Sequence, residues 1–340
     1  MFRVLITGSA GFIGYHLAQL LLAEGCVVHG YDAMTDYYDI RLKQRRHALL
    51  LQHPRFSCTA GLLEDQPLFE ATADAFAPDI IVHLAAQAGV RYSLQAPGAY
   101  LQANVIGTLS VLEAARRCGV RHLMMASTSS VYGGNTQMPF SESDTADLPL
   151  TIYAATKKAT EGMGHVYAHL WGLPVTCFRF FTVYGPWGRP DMALFRFTAA
   201  ILDGQPIDIY NHGNMARDFT YVGDLVRAIR LLMDVVPSKP AERPVDSVTP
   251  AADSLSPIAP WRVVNIGNST PVPLLDFIAA IEACLGRKAV RNYTDMQPGD
   301  VSATWADATL LQQLTGYSPQ TDIRDGIARF VDWYRDYYDK

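Results

Sequence analysis

Short apolar runs alternate with stretches of helical periodicity through the first half of this 340-residue chain. Val4-Leu5-Ile6 is a first β-branched run, and Leu17, Leu20, Leu21 and Leu22 then recur at helical spacing. Val27-Val28-His29-Gly30-Tyr31 is a second strand-like run, Ile80-Ile81-Val82-His83 a third, and His122-Leu123-Met124-Met125-Ala126 a fourth. Residues 104–117, between the last two, are amphipathic at the helix period. Buried runs separated by helices need crossover connections, so the pattern predicts an α/β fold with a doubly wound parallel sheet. Ligands then belong at the carboxyl ends of its strands.

Beyond Phe180 the texture changes. Gly185-Pro186-Trp187-Gly188-Arg189-Pro190 and Asn211-His212-Gly213-Asn214 are turn-rich and predict a smaller lobe closing over a second ligand. Asp218 to Met233 reads as a helix with its lead-in, and Val263-Val264-Asn265-Ile266 as a strand, both returning to the larger lobe. The expected division is therefore interleaved. Residues 1–180, 218–235 and 262–268 form the large lobe, and 181–217 with 269–340 the small one. Residues 237–260 hold six prolines and few large apolar side chains, and predict a surface loop.

With 49% hydrophobic residues the chain can bury a large core. A formal charge of −5 without a basic stripe argues against nucleic acid and against anionic membrane surfaces as partners. No apolar run has the length of a membrane span, and the first strand begins too early to leave room for a signal peptide. Cys26, Cys58, Cys118, Cys177 and Cys284 are scattered, which predicts reduced core residues in a cytoplasmic protein and no metal site.

The chemistry begins at Thr7-Gly8-Ser9-Ala10-Gly11-Phe12-Ile13-Gly14, between the first strand and the first helix. Glycines there let backbone approach a pyrophosphate, and the helix dipole favours the anion. Asp32 ends the second strand, placed to accept from both ribose hydroxyls and to repel a 2′-phosphate; Ala33 and Met34 offer no arginine, so NAD is favoured over NADP. Leu84-Ala85-Ala86 closes the third strand with small residues against which a cofactor can lie. Ser127, Thr128, Ser129 and Ser130 crowd hydroxyls at the end of the fourth. Tyr153 and Lys157 are four apart, hence on one helix face, where the ammonium would favour the phenolate and lower the tyrosine pKa.

These features resemble the extended short-chain dehydrogenase/reductase family, and within it the nucleotide-sugar 4-epimerases acting on UDP-glucuronate. The resemblance spans essentially the whole chain. It is carried by Arg91-Tyr92-Ser93, Asn104 to Thr108, Thr128 to Gly133, Tyr153 to Lys157, Arg179 to Pro186, Gly188 to Ala193, Asn214 to Val222 and Gln297 to Asp300. It implies a Rossmann-type NAD site that includes Leu62, Leu63, Asn104, Ser127, Phe180 and Val183. It implies catalysis by Tyr153 with Thr128 and Lys157: carbon 4 of a UDP-sugar is oxidised to a ketone, turned over and reduced on its other face. Gln87, Ser129, Ser130 and Thr182 are expected near the sugar, with Arg189 as the first and Arg91 as the second candidate for its carboxylate, Arg91 being equally suited to a phosphate. Arg217 is expected at the diphosphate, Tyr210 at uracil and Asp300 at the uridine ribose. Ser129 and Ser130 stand where 4,6-dehydratases carry Asp-Glu, and Ser130 where decarboxylases carry glutamate. Leu62 replaces the usual aspartate at adenine, which predicts looser cofactor retention. A homodimer through helix 104–117 and the Tyr153 helix is implied. UDP-glucose epimerisation, UDP-glucuronate decarboxylation and a non-catalytic NAD(H)-binding sensor are the alternatives.

Overall fold

The computed structural model describes residues 2–242, 253–297 and 299–340. Its chain begins as a regular alternation. Strands β1 (Arg3–Thr7), β2 (Val27–Asp32), β3 (Phe56–Ala60), β4 (Ile80–His83), β5 (His122–Thr128) and β6 (Val175–Phe180) are separated by helices. These are α1 (Phe12–Ala23), α2 (Ile40–Leu51), α3 (Gln66–Phe76), the short α4 (Tyr92–Gln95) and α5 (Pro97–Tyr100), α6 (Gly107–Cys118) and α7 (Ile152–Trp171). A π-helical turn, Leu101–Ile106, leads into α6, so the amphipathic stretch at 104–117 is not one uniform helix.

The chain then leaves the sheet. It forms β7 (Thr182–Tyr184), α8 (Ala193–Leu202), β8 (Pro206–Ile209) and β9 (Ala216–Tyr221) before α9 (Val222–Leu232) and β10 (Trp261–Ile266) return. β11 (Pro271–Pro273), α10 (Leu274–Leu285), β12 (Val290–Tyr293), β13 (Ala303–Thr304), α11 (Thr309–Thr315) and α12 (Ile323–Tyr338) complete it. The large sheet has the order β10-β6-β5-β4-β1-β2-β3, all parallel. The strand order reverses between β1 and β4, and the crevice at that switch point is where such sheets bind ligands.

Period-two alternation explains why the strands are apolar throughout. Val4 and Ile6 face a core completed by Leu17 and Leu21 of α1 and Leu225 and Ile229 of α9. Leu5 faces the opposite core, with Phe69 of α3, Val111 and Leu112 of α6 and Tyr167 of α7. The small lobe has its own core, in which the Phe219 and Phe277 rings stack 4.2 Å apart.

The lobes interleave with boundaries that differ from those expected. Residues 218–221 belong to β9, which pairs with β7, β11 and β13 in the small lobe; the return starts at Val222. Leu310 and Leu311 of α11 are buried in the large-lobe core, although 269–340 was expected to be small-lobe throughout. Their apolar surface fits against α9 and β10.

The proline-rich segment also differs from expectation. Residues 243–252 lie outside those described, and Pro240–Glu242 is an exposed 3₁₀ turn. Within residues 253–260 the Asp253 carboxylate pairs with Arg262 at 2.9 Å, both side chains at most 7% exposed, and Ser256 and Ala259 are buried, whereas Pro257 and Ile258 are exposed. All five cysteines are free. Among the described residues no helix is long and apolar enough to cross a membrane, and no cluster of His, Cys, Asp and Glu could hold a metal.

Candidate active site

The glycine turn is dictated by contact. Gly8 has φ of +75°, and a Cβ there would lie 2.8 Å from the Ala85 nitrogen; one on Gly14 would lie 2.1 Å from the Gly8 carbonyl oxygen. Strand, turn and helix therefore touch backbone to backbone. Gly11 is the N-cap of α1, and no side chain caps that terminus. Its first N–H groups, from Phe12 and Ile13 onward, and the helix dipole point at whatever lies over the turn. Asp32 spans the edge: its Oδ2 accepts from the Ala10 N–H at 2.9 Å and its Oδ1 from the Met34 N–H at 2.8 Å. A carboxylate has lone pairs beyond those two. Cradle, uncapped helix and carboxylate fit the pyrophosphate and ribose of a dinucleotide.

The wall of that groove is built by β4. The Leu84 and Ala85 N–H groups each donate to Thr7 Oγ1 at 3.2 Å, and Ala86 leads into Gln87. Asn104 is 1% exposed and binds Gln87 twice, accepting from its N–H at 2.8 Å and donating to its carbonyl at 3.2 Å. It also donates to Thr156 of α7 at 3.1 Å, so one amide ties the β4 loop to the helix of Tyr153. Leu63 is buried beside Gly107, whereas the Leu62 side chain is exposed and its carbonyl accepts from Tyr31. Phe180 is buried at the end of β6.

Tyr153 opens α7, whose N-cap Thr151 accepts from the Ala154 N–H. Burial pushes the Tyr153 phenol above its ordinary pKa; a hydrogen bond with Thr128 and the positive charge of Arg189 pull the other way. Lys157 stands one turn further along the same helix; its Nζ donates to the Ala126 carbonyl of β5 at 2.8 Å, and burial brings its pKa down to about 8. The two side chains share a face, and the Arg189 guanidinium supplies a positive charge that favours the phenolate. The hydroxyl run divides. Ser127 donates to Glu161 at 2.6 Å, away from the cleft, and the cleft receives Thr128, Ser129 and Ser130.

Between the lobes lies a cleft of about 930 Å³. Phe12, Thr128, Ser129, Ser130, Tyr153, Thr182, Val183 and Arg189 line it, as do Arg91, Tyr210, Arg217 and Asp300. Arg91 pairs with Asp300 at 2.8 Å, and its guanidinium carbon lies 4.4 Å from the centre of the Tyr210 ring. Arg217 donates to the carbonyls of Ala216, Val301 and Ser302, and burial draws its pKa below the ordinary value. Arg189 is held bidentately, Nε and a terminal nitrogen lying 3.0 and 2.5 Å from the two oxygens of Asp191. Asp191 was missed by the sequence reading, although a carboxylate two residues after a cleft arginine is a visible signal. Tyr37, which contacts Asp191 from the β2 loop, carried no signal.

A sequence model of the NAD dependent epimerase/dehydratase family matches residues 4–245. The chain belongs to that family. Its relatives include a probable UDP-glucuronate 4-epimerase of Rhizobium meliloti (strain 1021), 52% identical over 338 residues, which cover 99% of this chain and 98% of that one. UDP-glucuronate 4-epimerase 2 of Arabidopsis thaliana is 43% identical over 340 residues, 98% of this chain and 76% of the plant protein. Among solved structures, UDP-glucuronic acid 4-epimerase from Bacillus cereus, crystallised with UDP-glucuronic acid and NAD, superposes with a TM-score of 0.85 at 31% identity. That match covers 99% of this chain and 100% of the other. The family assignment thus extends over both lobes, including the small-lobe side of the cleft.

Proposed function

We propose that this chain is an NAD-dependent UDP-glucuronate 4-epimerase, converting UDP-glucuronate to UDP-galacturonate. The observation that carries this reading is one cleft in which Tyr153 and Thr128 meet the neutral hydroxyls of Ser129 and Ser130. The likeness to proteins of that name over the full chain supports it.

Tyr153, as phenolate, takes the proton of the sugar 4-hydroxyl, with Thr128 as its hydrogen-bond partner and the Arg189 charge stabilising the anion. NAD⁺, when bound, supplies the acceptor for the hydride of carbon 4 and the donor that returns it to the other face. Lys157 would hold the nicotinamide ribose, and Tyr153 gives its proton back at the end of the cycle. The 4-keto uronate is a β-keto acid and loses carbon dioxide readily unless its carboxylate is held out of line with the ketone. Ser129, Ser130 and Thr182 hold it by neutral hydrogen bonds, which neither repel the carboxylate nor supply an acid to the ketone. Arg217 faces the diphosphate, and Tyr210, Arg91 and Asp300 the uridine.

The assembly is proposed as a cytoplasmic homodimer. Its support is five unpaired cysteines and the exposed apolar side chains Leu101, Ile106, Leu109, Val166 and Leu170 on the helices around Asn104 and Tyr153. Incubation with UDP-glucuronate, without added NAD, tests the reaction. An equilibrating mixture containing UDP-galacturonate is expected. A UDP-pentose product would overturn the role given to Ser129 and Ser130, and turnover of neutral UDP-glucose alone would overturn the substrate.

A further inference from the structure

Tyr153, Lys157 and Glu161 occupy successive i, i+4 positions of α7, yet the chemistry above uses only the first two. The Glu161 side chain is 2% exposed. Its Oε1 accepts from Ser127 Oγ at 2.6 Å and from Arg179 Nε at 2.9 Å, and its Oε2 accepts from a terminal nitrogen of Arg179 at 2.9 Å. Lys158 approaches from the solvent side at 3.6 Å. Arg179, on the neighbouring strand β6, lies with its guanidinium carbon 4.7 Å from the Tyr132 ring centre, and its remaining terminal nitrogen is buried with no hydrogen-bond partner.

The stretch of β5 that Glu161 grips is the one the catalytic pair depends on. Ala126 gives its carbonyl to Lys157, Ser127 gives its hydroxyl to Glu161, and the next residue, Thr128, meets Tyr153. Burying an ion pair is costly, and well-packed apolar side chains often serve stability as well or better. A buried pair one turn beyond Lys157 therefore asks for a reason other than stability.

The titratable groups that act on Lys157 come from three elements, Glu161 on α7, Cys177 on β6 and His83 on β4, while the Ala126 carbonyl of β5 accepts from its ammonium. His83 is held neutral by burial, which brings its pKa down to about 3, and burial pushes the Cys177 thiol far up. Among these described groups, Glu161 is the one carboxylate.

We infer that Glu161 is a positioning residue for the Tyr153–Lys157 pair: it fixes the strand end that presents Thr128 and keeps Lys157 in its cationic form. This rests on the reading of Tyr153 and Lys157 as the working pair, and is independent of which UDP-sugar they serve. A buried Lys157 that already titrates low would lose the one nearby anion favouring its charge if Glu161 were neutralised. The Lys157 pKa, lowered to about 8, would fall further, and with it the upper pH bound of activity.

The test compares the holoenzyme with Glu161→Gln, which keeps the shape and an acceptor for Ser127, and with Glu161→Asp, which keeps the charge. The pH dependence of kcat is measured between 6 and 9.5, together with NAD retained after dialysis at pH 6.5 and pH 9. Glu161→Gln is expected to move the basic limb of kcat down by about one pH unit and to lose NAD selectively at pH 9. Glu161→Asp is expected to lower kcat with the limb in its wild-type place. Profiles for Glu161→Gln that superimpose on wild type after scaling, with unchanged NAD retention at pH 9, would overturn the inference and leave a purely structural ion pair. Should Glu161→Gln fail to fold, a downward shift of the limb in Glu161→Asp would do the same. NAD retention also separates the two readings, because it reports on Lys157 even if UDP-glucuronate is not the substrate.

Discussion

Replacing Gly14 by alanine puts one methyl group against the tightest backbone contact of the cofactor groove. The new Cβ would stand 2.1 Å from the Gly8 carbonyl oxygen, 2.9 Å from the Gly8 carbonyl carbon and 3.0 Å from Ser9 Cα. Since an ordinary carbon–oxygen contact is a little over 3 Å, turn and helix must separate by about 1 Å. Two terms oppose each other. Alanine inside a helix gains about 1 kcal/mol over glycine. Forcing close-packed backbone apart costs about 1–3 kcal/mol or more, because no flexible side chain is there to yield. The net expectation is a loss of about 1–2 kcal/mol, or a few degrees in Tm for a chain of this size. Function should suffer more than stability, since a displacement of about 1 Å at a binding cradle lowers occupancy or rate by about 10²-fold. The assay is NAD per protomer after gel filtration, read by acid release and chromatography, alongside thermal unfolding. A variant that retains stoichiometric NAD with an unchanged Tm would refute the reasoning that close approach sets this position.

Tyr153→Phe removes the acid/base group without touching the groove; kcat should fall about 10³-fold with NAD content unchanged, and a smaller loss than tenfold would count against the tyrosine. Arg189→Gln removes the charge that opposes the burial-driven rise of the Tyr153 pKa, so the acidic limb of the pH–kcat profile should move to higher pH; a limb that stays in place excludes that role. Glu142 accepts from the Asn265 N–H at 2.7 Å, and burial pushes its pKa up to about 7. Its folded form therefore favours the proton. The stabilisation is complete below the unfolded value near 4.5 and is lost as pH rises through 7, on the order of 2 kcal/mol. Glu142→Gln should flatten that part of the stability–pH curve, measured by urea unfolding between pH 4.5 and 8, and an undiminished slope would assign it to other groups.

Much of the large lobe was legible because both its periodicities are strong. Strands buried on two faces must be apolar at every position, so Val4-Leu5-Ile6 and Ile80-Ile81-Val82 announce themselves. Gly8 and Gly14 could be placed because backbone contact tolerates no side chain, which leaves a mark in the sequence itself. The small lobe left weaker marks. β9 runs directly into α9, with Tyr221 ending one and Val222 starting the other, so the boundary falls inside a continuous pattern. The burial of Leu310 and Leu311 depends on which lobe α11 happens to reach, and nothing local encodes that.

The site shows the same limit at the scale of single side chains. Spacing put Tyr153 and Lys157 on one face, and they are there, but spacing fixes only where a side chain starts. Where Lys157 ends depends on the Ala126 carbonyl, 31 residues away in sequence and supplied by a neighbouring strand. Ser127 turns to Glu161, and Arg189 to Asp191, for the same reason: each partner is set by the fold's juxtaposition or by local loop shape, not by periodicity. One cation beside the phenol therefore comes from the small-lobe loop, while one of the Lys157 ammonium protons is fixed by the sheet.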